Sequence, residues 1–336
     1  MSYPVFDLHC DTADRIAWST VDARFRTLAD LDRFDPNGNG EEAGDDLAQG
    51  PGHLTLERMG EVPWAQCFAC FIYDEFPPEE SARFYQQVMD HLNEQLARNA
   101  DTIATARRAA DIRAALEGTG RVAIKTIENA RLFAADPSLV GTLADAGVLM
   151  ASLSWNAQGP LASGHDVEDA GITPLGADVI RRMEEARMIL DVSHLNDTCF
   201  DDVARLTTRP FVASHSNSRA VCGHLRNLTD AQFIEIRDRG GLVGLNYCPD
   251  FLRDDASTHD PTTDDLCRHI EHWLDLGGED VIALGSDFDG TDLPACISSA
   301  AKMPEVQQAF VHAFGETITR KLCADNALAF FERWGR

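Results

Sequence analysis

No run in this sequence approaches the ~20 consecutive apolar residues of a membrane-spanning helix, so no membrane protein is expected. No export signal is expected either, because the first apolar stretch, residues 3–8, is short and follows no basic segment. The expected address is the cytoplasm. Positive charge is scarce: 29 Lys and Arg face 55 Asp and Glu, a formal net charge of −26. Such a surface repels phosphate backbones and anionic head groups, which argues against nucleic acid or a membrane surface as partner. A disulfide framework is also lacking. The 9 cysteines are odd in number and scattered from Cys10 to Cys323, as reduced thiols would be. Cys67 and Cys70 form one CxxC with no second pair to complete a structural zinc site. They lie in an apolar run, WAQCFACFIY, where small buried hydrophobes are expected.

What is present is a hydrophobic share of 44% and a regular alternation of patterns. Short apolar runs with strand character occupy residues 4–10, 64–73, 121–128, 148–154, 188–193, 210–215, 241–247 and 281–286. Amphipathic helical stretches lie between most of them, at 80–98, 174–186, 230–239 and 264–276. Strands alternating with helices predict βα units and a parallel sheet. Eight such units in 336 residues predict one (β/α)₈ TIM-type barrel domain over 1–336, with an open doubly wound sheet as the alternative. Residues 306–334 are helical in pattern and form a C-terminal extension expected to close the barrel from outside.

Residues 35–50, DPNGNGEEAGDDLAQG, must be a loop. Asp35, Asn37, Asn39, Gly40 and Asp46 echo an EF-hand calcium loop. The final ligand is Asp rather than Glu, Glu42 stands at position eight, and flanking helices are missing, so a solvated loop is expected.

Chemistry gathers at the strand ends. In the first run, alternation places His9 and Asp11 on one face, with Phe6, Leu8 and Cys10 on an apolar outer face against helices. The third run ends on Glu128, the fifth on His194, the sixth on His215 and the eighth on Asp287. A lone strand-end histidine or aspartate is usually structural, a satisfied side chain or a helix N-cap. Five of eight strands ending this way, on the face where barrel enzymes build their sites, predict a metal centre. Three histidines with two or three carboxylates exceed the needs of one tetrahedral ion. Two divalent cations, zinc by the ligand types, are therefore expected, sharing a carboxylate at roughly 3.5–4 Å separation. Glu128 is the expected bridge. Lys125, which would have to be carboxylated, is the competitor and is out of phase with Glu128 along the strand.

In these motifs the chain resembles the renal or membrane dipeptidase family of metallopeptidases. The likeness runs through FDLHCDT, TIENARLF, DVSHLN, VASHSNSRAVCGHLRNLTD, ALGSDFDG and ADNALAFFERW, and so covers nearly the whole chain. The resemblance implies that His9 and Asp11 bind one zinc, that His194 and His215 bind the other, and that Glu128 bridges. It implies that Asp287 is the catalytic acid/base and that Arg226 holds the carboxylate of a dipeptide substrate, a task suited to a planar guanidinium. The implied reaction is hydrolysis of small dipeptides, with a D residue accepted at the C-terminal position, by a protein that is often a homodimer.

The sequence departs from that pattern at the end of the fourth strand. Where many members carry a substrate-contacting histidine, this chain reads Ser152-Leu153-Ser154-Trp155-Asn156. Trp155 and Asn156 are therefore expected to face the substrate, and either Asn156 or His165 is the replacement donor or the substrate differs. Asn129-Ala130-Arg131 likewise replaces a Gly-rich tripeptide. The rival readings are another metal-dependent amidase, lactonase or phosphodiesterase on the same barrel, and a non-catalytic metal- or ligand-binding barrel.

Overall fold

Valine, leucine, alanine and isoleucine dominate the eight runs, and each run supplies one parallel strand of a closed sheet. The computed structural model describes residues 2–28, 44 and 46–335. The strands are β1 (Val5–Cys10), β2 (Trp64–Phe71), β3 (Arg121–Glu128), β4 (Val148–Ser152), β5 (Ile189–Asp191), β6 (Val212–Ala213), β7 (Leu242–Leu245) and β8 (Ile282–Leu284). Around the sheet β2 is followed by β1, then β8 through β3 in descending order, and β3 pairs back with β2 to close a TIM-type barrel. A two-residue side strand, Ala104–Thr105, extends the start of β3. Helices fall where the amphipathic stretches predict them, including Pro78–Arg98, Pro174–Ala186, Asp230–Asp238 and Thr263–Asp275. Of the calcium-like residues, Asp35, Asn37, Asn39 and Gly40 lie outside the described residues.

The face assignment in β1 needs correction. Phe6 and Leu8 do not pack on the outer helices. They join an apolar cluster with Ala65, Cys67, Ile124, Met150, Ile189, Val212, Leu242 and Ala283, which draws on all eight strands and fills the barrel interior. Cys10 alone of the three faces the helix layer, among Phe68, Cys70 and Ala13. The pairing of β1 with β2 explains the switch: Asp7 is opposite Gln66 but Cys10 is opposite Phe68, so one extra residue is accommodated between them. A bulge of this kind inverts the alternation and re-aims the side chains beyond it, turning His9 inward beside Leu8. Asp7 holds it in place, since its Oδ1 accepts the backbone N–H of His9 at 3.2 Å and of Ser286 at 3.0 Å. Cys67 and Cys70 fall on opposite faces of β2, and burial pushes both thiols well above their ordinary value.

The C-terminal segment closes the barrel at its N-terminal end, opposite the strand ends that carry the candidate residues. Met303–Arg320 breaks at Gly315 (φ 79°) and continues through a π turn into Asn326–Trp334. Asn326 Nδ2 donates to the carbonyls of Ile282 at 2.8 Å and Glu279 at 2.9 Å, tying this helix to the start of β8. Phe331 meets Phe6 with ring centroids 5.0 Å apart. Burying a side chain of that size stabilises by about 1.5–3 kcal/mol.

Candidate metal centre

Backbone geometry at the strand ends brings the candidate side chains together. Asn129, His194, Asp287 and Asp289 all have positive φ, at 57°, 72°, 62° and 64°. A left-handed backbone at such residues costs about 1–3 kcal/mol each and persists where the surroundings enforce it, as at functional sites. Close strand approach is one such constraint. A Cβ on Gly244 or Gly285 would come within 1.9 Å of the Ser214 carbonyl oxygen, so only glycine lets β7 and β8 lie this near the segment carrying His215.

The six predicted residues His9, Asp11, Glu128, His194, His215 and Asp287 form one buried cluster. Glu128 turns its two oxygens to different histidines: Oε2 lies 3.1 Å from His9 Nε2 and Oε1 lies 2.8 Å from His194 Nε2. His9 Nε2 is also 3.5 Å from Asp11 Oδ1 and 3.9 Å from Asp287 Oδ1. The His9 and His215 rings stack at 3.7 Å, and His215 Nε2 stands 2.9 Å from His194 Nε2. Two triads, His9–Glu128–His215 and His9–Asp11–Asp287, have ligand atoms within 4.8 Å of one another. Lys125 points the other way, its Nζ meeting Asn93 Oδ1 on the helix Pro78–Arg98 at 2.5 Å.

The donor set fits divalent cations, and the outer hydrogen bonds say why. Ser214 Oγ donates to Asp191 Oδ2 at 2.5 Å, which leaves its oxygen to accept from His215 Nδ1 at 2.7 Å. His194 Nδ1 lies 3.0 Å from Asn156 Oδ1, an acceptor. With both Nδ1 atoms protonated, the Nε2 lone pairs of His194 and His215 face each other and a carboxylate, an arrangement a cation relieves. His9 Nε2 is buried and makes no well-aligned hydrogen bond despite three nearby carboxylates.

Charge around the cluster is uneven. Burial opposes a charged His9, but Glu128 and Asp11 outweigh it and raise this imidazole well above its usual value. Burial would raise Glu128, yet His194 and His9 hold it well below the carboxylate range. Burial and the Arg226 guanidinium lower His194 to about 4.

A cavity of about 160 Å³ opens on the cluster, lined by Glu128, Trp155, Asn156, His194, Phe251, Asp287, Gly290 and Thr291. Trp155 and Asn156 are thus in its wall, Trp155 packing edge-on to Phe71 at 4.9 Å. His165 is outside that wall. It lines a neighbouring cavity, and burial holds it neutral with a pKa of about 3. Arg226 is buried behind His215, donating from Nη2 to the His215 carbonyl at 2.8 Å and from Nη1 to Ser216 Oγ at 2.6 Å, with Nε unpartnered.

Sequence reasoning missed the residues that hold these groups. Asn246 Nδ2 donates to Asp287 Oδ2 at 3.1 Å, and Asp191 accepts from Ser193 N, Ser214 N and Ser214 Oγ. Asp191 had a signal in the DVSH motif, three residues before His194. Asn246 and Phe251 had none.

Comparison with known proteins finds a metallopeptidase family and its fold. The family model described as membrane dipeptidase (peptidase family M19) matches residues 2–334. A solved dipeptidase AC, a metallopeptidase of family M19, is 30% identical with a TM-score of 0.86, each chain covered over 100%. A Rhodobacter sphaeroides metallopeptidase, solved with a phosphinate mimic of the dipeptide L-Ala-D-Ala, is 29% identical with a TM-score of 0.85, covering 99% of both chains. An uncharacterized Klebsiella pneumoniae protein from the pqqA 5′ region is 35% identical over 223 residues, 64% of this chain and 82% of that protein.

Proposed function

Because this chain belongs to the membrane dipeptidase family, peptidase family M19, and is a metal-dependent hydrolase of small peptides, we propose that it cleaves dipeptides at a centre of two zinc ions. His9 and Asp11 would hold one ion, His194 and His215 the other, and Glu128 both. The observation that carries this reading is the split carboxylate of Glu128, one oxygen toward His9 and the other toward His194. Imidazole and carboxylate donors suit zinc. When bound, the pair supplies Lewis-acid polarisation of the scissile carbonyl and a water acidified toward neutral pH.

The chain's own residues do the rest. Asp287, with Oδ2 held by Asn246 and Oδ1 turned to the cluster, accepts the proton of the attacking water and returns it to the departing amine. Arg226 pairs with the C-terminal carboxylate through its unpartnered Nε and so selects for dipeptide length. Trp155 and Phe251 supply apolar walls for the substrate side chains, and Asn156 stands in the same wall. A phosphinate mimic of L-Ala-D-Ala on a relative 29% identical supports a substrate with a D residue at its C-terminal position.

Purified protein assayed on matched L-Ala-L-Ala and L-Ala-D-Ala, with zinc and after chelation, tests the reading. Zinc-dependent cleavage of both is expected. Full activity after exhaustive chelation, or no cleavage of any dipeptide by zinc-loaded protein, overturns it.

A further inference from the structure

The loop segments that follow β3 and β4 meet at one carboxylate. Asp74 Oδ1 accepts from Asn129 Nδ2 at 2.9 Å and from Arg131 Nη1 at 3.1 Å, and its Oδ2 accepts the backbone N–H of Ala157 at 2.9 Å. The Asp74–Arg131 pair is about nine-tenths buried. Asn129 Nδ2 further donates to the Ile72 carbonyl at 2.7 Å, and Arg131 Nε to that of Phe76 at 3.0 Å. Residues 129–131 after β3 and 155–157 after β4 are therefore fastened to the same point. On the far side of the short loop, the Asn156 carbonyl accepts from Asp166 N at 3.1 Å and the Ala157 carbonyl from Gly164 N at 2.9 Å. What this fixed loop delivers to the centre is Asn156 Oδ1, 3.0 Å from His194 Nδ1.

We infer that Asn156 is a positioning residue for His194: its side-chain oxygen accepts the Nδ1–H, and Asp74 fixes the loop that carries it. The inference rests on the reading of His194 as a metal ligand. A neutral imidazole has one lone pair, and an acceptor at Nδ1 forces that pair onto Nε2, the atom facing Glu128 and His215. A carboxylate would do the same while adding negative charge. Asn156 fixes the tautomer without adding charge. Residues 155–157 and 129–131 thus act as one device, since the second segment holds Asp74 and Asp74 holds the first.

The test compares wild type, Asn156→Leu, Asn156→Asp and His194→Ala as full chains. Each is stripped of metal and titrated with zinc against a competing chelator, with thermal midpoints recorded. Histidine ¹⁵N spectra are taken of the metal-free proteins. In wild type, His194 is expected as the Nδ1–H tautomer. Asn156→Leu should weaken one zinc by about 10–100-fold, the usual cost of losing such a partner, and mix the His194 tautomers at an unchanged thermal midpoint. Asn156→Asp should restore both tautomer and affinity. A His194 already in the Nε2–H form in wild type overturns the inference. So does Asn156→Leu binding both zinc ions as tightly as wild type while His194→Ala loses one. If His194→Ala itself retains both ions, the ligand reading fails and the inference falls with it.

Discussion

His9 and His194 stand on opposite sides of Glu128, and their surroundings pull their protons in opposite directions. Around His9 are Glu128, Asp11 and Asp287, and its imidazole is raised well above the ordinary value. Around His194, burial and the Arg226 guanidinium outweigh the Glu128 carboxylate, and its imidazole is lowered to about 4. In the proposed centre the first half would attract a cation by charge, and its histidine arrives there through a backbone bulge pinned by Asp7. In the proposed centre the second half would work by orientation, through Asn156 on His194 and the Ser214–Asp191 relay on His215. One carboxylate joins the two, so the proposed centre would combine an electrostatic trap with an oriented pair of lone pairs.

Removing the shared group should do the most damage. Glu128→Gln is expected to lower kcat/KM by well over the ~100-fold that loss of an outer partner brings, with zinc content reduced in both halves. Loss of only one ion would show that Glu128 serves one half alone. Asp287→Asn should cut kcat by about 10²–10⁴-fold, the range of a general acid/base, while zinc content and KM stay near wild type. A fall in zinc content would make Asp287 a ligand of the acidic half.

Arg226→Lys should raise KM for dipeptides by about 10–100-fold, the equivalent of a lost charged hydrogen bond of roughly 1.5–3 kcal/mol. An unchanged KM would assign carboxylate recognition to another group. Ser214→Ala should weaken the zinc of the His194–His215 half by about tenfold and leave the other ion alone. Equal weakening of both would erase the contrast between the halves.

The smallest effect concerns His269, a hydrogen-bonded buried histidine outside the proposed ligand set. Its Nδ1 accepts from Ser218 N at 3.1 Å and its Nε2 meets the Leu252 carbonyl at 3.2 Å, so it is held neutral, and burial lowers its pKa to about 4. Between pH 6.5 and 4 the unfolded chain takes up this proton and the folded chain does not. Stability is therefore full above pH 6.5 and lost as pH falls toward 4, by about 1.4 kcal/mol per unit. Urea unfolding of the metal-free protein across that range checks it against His269→Gln, which should lack this part of the slope.

The barrel and the six clustered residues were legible in the sequence because strand ends impose their own order. Each of Glu128, His194, His215 and Asp287 lies at or just beyond the end of an apolar run, and a parallel barrel must bring such ends to one rim. The bulge at Leu8–His9 was not legible, since strict alternation assigns Phe6 and Leu8 to the wrong face. It depends on Asp7 reaching Ser286, 279 residues away. Asn156 on His194 and Asp74 on Ala157 are likewise contacts across 38 and 83 residues. Hydrophobic period carries no record of them.

The most direct measurement is an anomalous difference map at the zinc edge from crystals of the zinc-loaded protein. Two peaks roughly 3.5–4 Å apart, one beside His9 and Asp11 and one beside His194 and His215 with Glu128 between them, are predicted. A single peak, or a pair with Glu128 bound to only one, would contradict the two-sided centre.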